Sequence, residues 1–335
     1  MDVYTRSVEN RLREAGARCG READTLYFGG GTPSLLGADR ILRIVQAARE
    51  GFGLKNAEIT MEANPSGDLS KLLSSVREGG VNRISLGLQS SVDEELALLG
   101  RRHTAEQARK AVRAARSAGF QNISLDLMLC IPGQTADSLK RSIAFCAEAG
   151  VEHVSAYLLK LEKGTPFFLQ KDQMHLPDEE ETGERYLLAC EELERHGYRQ
   201  YEISNFSRSG FESRHNLKYW HCEEYLGLGP AAHSFFNGKR FYFPRDINAF
   251  VSGNSPVDDG AGGDLEEYTM LALRLTEGLR EAGCRSRFGR GIPEEYRVRA
   301  EKFRKTGLLY CDEAGIRLTR KGFLVSNTLI GEILF

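Results

Sequence analysis

The sequence lacks closely spaced cysteines, long apolar runs and an excess of charge of one sign. Its seven cysteines are never closer than 16 residues apart, so it contains no Cys-x-x-Cys loop of the kind found in zinc ribbons or iron–sulfur sites. No apolar run approaches the roughly 18–20 residues that a membrane helix needs. Lys and Arg number 45 against 47 Asp and Glu, a net charge of −2, which argues against a surface built to coat nucleic acid or anionic membrane.

The start of the chain and its glycine content bear on location and on ligand binding. The first ten residues include Asp2, Arg6 and Glu9, and no apolar stretch follows them, which is unlike a secretory signal peptide. We therefore expect a cytoplasmic protein whose cysteines are reduced and mainly structural. Glycine accounts for 35 of 335 residues, above the roughly 7% average, and it clusters in motifs where backbone must approach another group closely.

Strand-like and helix-like segments alternate along the first two thirds of the chain. Short apolar runs predict strands at Thr25–Phe28, Ile59–Glu62, Arg83–Leu88, Ile123–Leu129, Val154–Leu161 and Tyr201–Ser204. Apolar residues at helical spacing predict helices at 3–15, Asp39–Phe52, Thr104–Ala118, Thr135–Ala149 and Asp178–His196. Thr104 and Gln107 have capping-box spacing. This alternation indicates βαβ units and a parallel sheet, and five units in series favour a barrel or part of one.

The pattern changes after about residue 205. Residues 252–263 are rich in Ser, Gly, Asn and Asp, which predicts a loop or linker. Beyond them the sequence predicts helices near 264–277 and 293–306, strands at Leu308–Cys311 and Ile316–Leu318, and a last helix from Lys321. We therefore divide the chain into a partial (β/α) barrel at 1–205, a barrel-closing segment and linker at 206–263, and a winged-helix-like α/β module at 264–335. The module is not visibly basic, so we expect it to pack or cover rather than to bind DNA.

Polar and glycine residues follow several of the predicted strands. The run Gly29-Gly30-Gly31-Thr32-Pro33 comes directly after the first strand, where glycines expose backbone N–H groups and let a ligand approach. The spacing matches neither a dinucleotide-binding motif nor a P-loop. The polar residues at or near the following strand ends are Glu62, Gln89, Asp126 and Lys160. Because strand ends of a parallel barrel form one mouth, these residues predict a polar ligand with several amine and hydroxyl groups.

Asp126 is the most informative of these polar residues. It lies within the apolar strand Leu125-Asp126-Leu127-Met128, and an unpaired buried carboxylate is costly. Its partner could be Arg101 in a structural ion pair or a cationic group of a ligand, and the residues alone leave both open.

Seven motifs in order carry a resemblance to a known family. They are Gly29–Pro33, Glu62-Ala63-Asn64-Pro65, Asn82–Ser90, Leu99-Gly100-Arg101-Arg102-His103, Leu125–Met128, Ile131-Pro132-Gly133-Gln134-Thr135 and His215-Asn216-Leu217-Lys218-Tyr219-Trp220. Together they resemble the radical S-adenosylmethionine (SAM) proteins related to oxygen-independent coproporphyrinogen III oxidase, and they are most similar to the HemW-type haem chaperone branch. The resemblance covers nearly the whole chain and implies a partial (β/α)6 radical-SAM barrel, here without its first strand.

The resemblance also implies two sets of binding residues. The SAM-binding set is Gly30, Gly31, Thr32, Glu62, Gln89, Arg101, Asp126 and Lys160. Carboxylates suit the hydroxyl and amino groups of SAM, and Arg101 suits its carboxylate. The stretch from Gly227 to His233 resembles the segment that closes the site. The haem-binding set is His215, Asn216 and Tyr219 of the HNxxY pattern, with His215 as the candidate iron ligand; a hydrogen-bonded loop histidine is the alternative.

The family's [4Fe–4S] cluster is held by a Cys-x3-Cys-x2-Cys loop that this sequence does not contain. That loop belongs upstream of the first helix, so either a truncated sequence or a natural loss would explain the absence. We expect no metal site for [4Fe–4S], no SAM cleavage and no catalytic residue in the chain as given, because thiolates are what hold such a cluster.

Three functions from different classes follow. The first is a haem chaperone that binds haem and SAM and delivers haem to a client protein, with membrane association of the client and a homodimer left open. The second is oxygen-independent decarboxylation of coproporphyrinogen III by the full-length enzyme. The third is an unrelated (β/α)-barrel hydrolase, which would need a nucleophile–base pair or metal triad, and the sequence shows no suggestive spacing for either.

Overall fold

The structure is a computed structural model that describes residues 1–164, 166–169 and 174–335. Its helices are α1 (Asp2–Cys19), α2 (Ala38–Phe52), α3 (Ser70–Glu78), α4 (Asp93–Leu98), α5 (Ala105–Ser117), α6 (Ala136–Glu148), α7 (Pro166–Leu169), α8 (Glu179–Arg195), α9 (Arg214–Trp220), α10 (Ile247–Val251), α11 (Leu265–Ala272), α12 (Glu281–Phe288), α13 (Glu294–Arg304), α14 (Arg320–Leu324) and α15 (Ser326–Leu334), with a short 3₁₀ helix at Pro33–Leu36. Its strands are β1 (Thr25–Phe28), β2 (Glu58–Ala63), β3 (Arg83–Gln89), β4 (Asn122–Leu129), β5 (His153–Leu158), β6 (Arg199–Gln200), β7 (Asn205–Ser207), β8 (His233–Phe236), β9 (Lys239–Tyr242), β10 (Val257–Ala261), β11 (Leu279–Arg280), β12 (Leu309–Asp312) and β13 (Gly315–Leu318).

The central sheet has seven strands in the order β1-β2-β3-β4-β5-β7-β6. β1 pairs with β2 in parallel, and β4 pairs with β5 in parallel with Asp126 opposite Ser155. β7 runs antiparallel to both β5 and β6. The predicted α/β class with a partial radical-SAM barrel is confirmed. The sheet departs from the predicted parallel arrangement at β7, which is antiparallel.

Two local predictions are wrong. No continuous strand forms at Tyr201–Ser204, because these residues connect β6 to β7 and Tyr201 N–H bonds Asn205 O at 3.1 Å. The segment makes only an isolated antiparallel bridge, between Glu202 and Leu275. The linker expected at 252–263 contains β10, which pairs antiparallel with β9. All five residues of β10 are exposed, so no alternation of apolar and polar residues marks it as a strand.

Contacts between Cα atoms divide the chain into two compact units. The first contains Met1–Glu62, Lys71–Arg83 and Ser213–Leu271; the second contains Ala63–Ser70, Ile84–Glu212 and Ala272–Phe335. The predicted boundaries at 205/206 and 263/264 divide the chain differently and stay a prediction.

In the first unit, α1 packs along α2 and contacts α10, and α9 contacts β1. The strands β10, β9 and β8 form a separate three-stranded sheet in that order. The apolar stripe predicted for α1 is buried at Val8 and Leu12, and that of α2 is buried at Ile41, Ile44 and Val45. α1 ends at Gly20, whose φ of 61° is the left-handed conformation that glycine adopts easily. In this core, α2 also contacts the 3₁₀ helix Pro33–Leu36 that follows β1.

In the second unit, capping boxes begin the helices that flank β4 and β5. Thr104 Oγ1 accepts from the Gln107 N–H at 3.3 Å, and the Gln107 side chain accepts from the Thr104 N–H at 2.8 Å, as the spacing predicted. His153 is 1% exposed, and its ring nitrogens lie 2.8 Å from Ser124 Oγ and from the Tyr201 hydroxyl. His153 is therefore a packing residue of this unit.

The C-terminal residues form the small module that the sequence predicts. β11, β13 and β12 make an antiparallel sheet in that order, and α13 packs on both β12 and α15. Leu309, Ile316 and Ile333 are buried in it. Among the helices that the structure describes, none is both long and apolar enough to cross a bilayer.

Candidate functional site

The short helix α9 carries the HNxxY motif and is fixed at its N-terminus by side chains from elsewhere in the chain. Glu58 on β2 accepts the backbone N–H of Arg214 at 3.2 Å through one carboxylate oxygen and that of His215 at 3.0 Å through the other. Ser213 is the N-cap and accepts from the Asn216 N–H at 3.5 Å. Together these bonds satisfy helix N–H groups that have no partner within the helix, so α9 is held in place against β1 and β2.

Both ring nitrogens of His215 lie beside hydroxyl groups. Nδ1 is 2.8 Å from Thr25 Oγ1, and Nε2 is 2.8 Å from the Tyr219 hydroxyl. A phenol is a better donor than an aliphatic hydroxyl, since its pKa is about 10. We therefore assign Tyr219 as the donor to Nε2 and Thr25 as the acceptor from Nδ1–H, which leaves the lone pair on Nε2.

The ring of His215 is also positioned by aromatic neighbours. It stacks on Tyr27 with centroids 5.0 Å apart and meets the edge of Tyr219 at 5.1 Å. Tyr219 in turn packs edge-on against Tyr225 at 4.5 Å. The imidazole is thus held by two hydrogen bonds and by two aromatic rings.

Electrostatics keep His215 neutral. Burial lowers the pKa of His215 to about 4, and the nearby positive charges of Lys218 and Arg83 act in the same direction. Lys218 itself pairs with Asp24 at 3.0 Å and with Glu223 at 2.9 Å. At neutral pH the imidazole therefore has a lone pair available for a metal ion or a hydrogen-bond donor.

A cavity of about 610 Å³ opens beside this helix within the first unit. Apolar side chains from α1, β1 and the turn after it make up much of its wall, and glycine backbone, His215, Tyr219 and His233 complete it. The lining residues are Met1, Tyr4, Val8, Leu12, Leu26, Tyr27, Phe28, Gly29, Gly30, Thr32, Pro33, Leu35, Leu36, Ile44, His215, Tyr219, Leu226, Gly227, Leu228, Ala232, His233 and Ile247. Its volume falls within the roughly 300–1,000 Å³ of small-molecule sites.

Four of the predicted SAM residues belong to the first unit. Gly30 and Gly31 have φ values of 78° and 65°, and nothing lies within 4 Å of where a Cβ would stand. Their backbone conformation, rather than lack of space, therefore explains the glycines. Thr32 begins the 3₁₀ helix, and Glu62 accepts a hydrogen bond from the Tyr27 hydroxyl at 2.7 Å.

The other four predicted SAM residues belong to the second unit. Gln89, the last residue of β3, is 8% exposed and has a φ of 68°, a conformation that is uncommon for a side-chain-bearing residue and tends to mark functional positions. Asp126 is half-buried and accepts from the Ser85 hydroxyl at 3.0 Å. Arg101 is half-buried, and Lys160 lies exposed beyond the end of β5.

The cysteines do not form a cluster site. All seven are free thiols, buried except for the half-buried Cys19 and Cys311. In the described parts of the chain, no group of three or more His, Cys, Asp or Glu side chains is placed to hold a metal ion. The residues present therefore do not fit a [4Fe–4S] cluster.

The structure adds residues that the sequence analysis did not single out. Thr25, Tyr27 and Glu58 contact the His215 ring or its helix, and no local motif marks them. His233 belongs to the stretch expected to close the site, and it lines the cavity. Asn216, predicted with His215, is not among the lining residues, and its backbone serves the cap of α9.

Comparison with protein families defines the class of this α/β protein. The model of the radical SAM superfamily matches residues 1–146, and the model of the HemN C-terminal domain matches residues 264–325. The second match begins at the residue where the sequence predicts the C-terminal module.

Individual relatives extend the match over the whole chain. A protein described as "Heme chaperone HemW" from Bacillus subtilis is 32% identical over 347 residues, covering 100% of this chain and 92% of the relative. One of the same description from Lactococcus lactis is 34% identical, covering 100% and 90%. The structure of coproporphyrinogen III oxidase (HemN) from Escherichia coli has a TM-score of 0.83 at 22% identity, covering 99% of this chain and 83% of that one, which shows the fold. The chain belongs to the HemW family of radical SAM proteins.

Proposed function

We propose that this protein binds haem in the cavity beside α9, with His215 as an iron ligand, and passes it to a client protein. The observation that carries the proposal is the neutral, positioned imidazole of His215 in the wall of a cavity of about 610 Å³. The names of the relatives, which describe haem chaperones, support the same function.

The residues of the cavity fit a porphyrin. Leu26, Phe28 and Leu228 offer apolar surface to a flat macrocycle, and Tyr27 and Tyr219 offer aromatic faces and edges. A histidine nitrogen is a common axial ligand of haem iron. Haem arrives as cargo and supplies only an iron with open coordination positions; the protein supplies the lone pair and the apolar wall.

Loading requires a rearrangement of one hydrogen bond. The lone pair of Nε2 is engaged by the Tyr219 hydroxyl at 2.8 Å, so Tyr219 must turn away before Nε2 can bind iron. Thr25 continues to accept from Nδ1–H and keeps the ring in its tautomer, as outer hydrogen bonds do for metal-bound histidines. The release of haem to a client reverses this exchange.

Haem titration of the purified chain tests the proposal. We expect a Soret band that grows to a 1:1 endpoint in the wild type and that is shifted or weakened in His215→Ala. His196→Ala is the control, because His196 lies at the C-terminal end of α8, outside the cavity. If both variants titrate like the wild type, His215 is a hydrogen-bonded loop histidine and the proposal fails.

We also propose that the eight predicted strand-end residues recognise SAM. The unusual φ of Gln89 and the open glycine turn at Gly30 and Gly31 favour this. Calorimetry with SAM should show weak binding in the wild type and weaker binding in Asp126→Ala. Equal affinities would mean that Asp126 has only the structural contact with Ser85. We assign no radical step to this chain, because its described residues provide no three-thiolate set.

The remaining proposals concern location and partners. Seven free cysteines are typical of a reducing compartment, which supports a cytoplasmic protein. The near-neutral charge supports a protein client rather than nucleic acid. A pull-down with haem-loaded protein, compared with the haem-free protein, would identify clients that bind only the loaded form.

A further inference from the structure

A second imidazole faces the same cavity as His215. His233 is the first residue of β8, its side chain is exposed, and it lines the cavity together with His215 and Tyr219. Neither the family models nor the names of the relatives assign a role to it. His215 and His233 are therefore two histidine side chains in the described lining of one cavity, and neutral imidazole is the commonest metal ligand among protein side chains.

The two histidines differ in how their nitrogens are engaged. Both nitrogens of His215 lie 2.8 Å from hydroxyl oxygens. Within the described chain, His233 makes a ring contact with Tyr242 and its ring nitrogens have no hydrogen-bond partner. Its exposed ring can therefore bind a metal ion without first breaking a hydrogen bond to another described residue.

The backbone and its aromatic neighbour hold the His233 ring in place. His233 pairs with Tyr242 across the β8–β9 ladder, and their rings stack with centroids 5.0 Å apart at 23°. The backbone of His233 is also closely packed, since a Cβ added at Gly227 would lie 2.1 Å from the His233 carbonyl oxygen. A ligand on a paired strand is placed more precisely than one on a loop.

We propose that His233 is the second iron ligand for haem in this cavity, so that the bound iron has two imidazoles. This inference rests on the proposed function, since it concerns the same cargo. It assigns the two histidines different parts: His233 can bind incoming iron at once, and His215 completes the coordination after Tyr219 has turned away. The bound haem is then ligated from two separate elements, β8 and α9.

Optical and EPR spectra of the ferric haem complex test this assignment. Two imidazoles give a six-coordinate, low-spin iron, whereas one gives a high-spin iron with water or an open position. We expect the haem complex of the wild type to be low-spin and that of His233→Ala to be high-spin. The haem affinity of His233→Ala should be at least tenfold lower than that of the wild type. His233→Phe keeps a ring for the stack on Tyr242 but has no lone pair, so it should behave like His233→Ala while preserving the fold. His221→Ala is the control on the same unit, outside the cavity lining.

The outcomes separate the two proposals. If the wild type does not bind haem at 1:1, the proposed function fails. If it binds haem but is high-spin, or if His233→Phe remains low-spin, the assignment of His233 is overturned while haem binding stands. Added imidazole should restore the low-spin spectrum of His233→Ala; failure of this rescue in a folded variant would also contradict the assignment.

Discussion

The Oγ1 atom of Thr25 lies 2.8 Å from the Nδ1 atom of His215, although the two residues are 190 positions apart in the chain. Thr25 is the first residue of β1 and His215 lies in the first turn of α9. The hydroxyl selects the tautomer of the imidazole and sets the direction in which Nε2 points. A residue that orients the proposed haem ligand therefore lies in a strand outside the HNxxY motif.

We expect Thr25→Val to weaken haem binding by roughly 10–100-fold, the range typical for loss of a hydrogen bond to a metal-bound histidine. Valine has nearly the shape of threonine but cannot accept from Nδ1–H. Thr25→Ser, which keeps the hydroxyl, should bind haem nearly as the wild type does. Haem titration of the three proteins measures this, and equal affinities for Val and Ser would show that the contact has no part in ligation.

Tyr219→Phe should accelerate haem binding several-fold. The variant removes the hydroxyl that occupies Nε2, so iron no longer competes with a hydrogen bond worth about 1 kcal/mol. Stopped-flow mixing, with absorbance recorded at the Soret band, would follow the association. Tyr225→Phe is the control, because Tyr225 packs on Tyr219 at 4.5 Å while the contacts described for the His215 ring come from Thr25, Tyr27 and Tyr219. A slower Tyr219→Phe would mean that the phenol assists loading.

Glu202 should make the stability of the protein fall as the pH rises. It is 1% exposed, and burial raises its pKa from 4.5 to about 7. The folded state therefore holds a proton that the unfolded state has released. This stabilisation is fully present below about pH 4.5 and is lost as the pH rises through 7, a change of about 3 kcal/mol.

Urea unfolding of the wild type and of Glu202→Gln, measured from pH 4.5 to 8, tests whether the free energy of unfolding falls as the pH rises. The wild type should lose stability relative to the variant as the pH rises, because glutamine cannot ionise. Glu14→Gln, at an exposed position of α1, should change nothing. A constant difference between wild type and Glu202→Gln across this range would show that folding does not raise the pKa of Glu202.

Gly227→Ala should destabilise the fold by about 1–3 kcal/mol or more, as overpacking does. The alanine Cβ would lie 2.1 Å from the carbonyl oxygen of His233. Because this oxygen belongs to the backbone, it cannot move away without distorting the strand. Gly331→Ala in α15 is the matched control: nothing lies within 4 Å of its Cβ, and alanine favours a helix by about 0.5–1 kcal/mol. Thermal melts of the two variants should therefore shift in opposite directions.

The sequence predicts the parts of this fold that depend on local signals. The strand Thr25–Phe28 has the predicted bounds, and the capping box of Thr104 and Gln107 forms as its spacing indicates. Such elements follow from side-chain period and cap chemistry within a few residues. β10 was missed because it is an exposed strand with Asp258, Asp259 and Gly260 at its centre, and its pairing with β9 is a tertiary contact.

The sequence singles out candidate residues for the site but does not show how they are arranged. The motif of α9 singled out His215 and Tyr219, and the structure places both on one cavity with the predicted Gly30 and Thr32. Nothing local could show that Thr25 would meet His215, because no periodicity connects residues so far apart. The position of His233 on the same cavity as His215 is likewise a result of tertiary folding, which no local pattern indicates.

The bonds from Glu58 to the start of α9 have a consequence for work with peptides. The helix has seven residues, and the carboxylate that caps it comes from a position 156 and 157 residues before the two N–H groups it accepts. Isolated helices shorter than about 12–15 residues are marginal in water. A synthetic peptide with the HNxxY sequence would therefore be an unfolded imidazole donor, and any affinity measured with it would describe free histidine chemistry rather than the pocket.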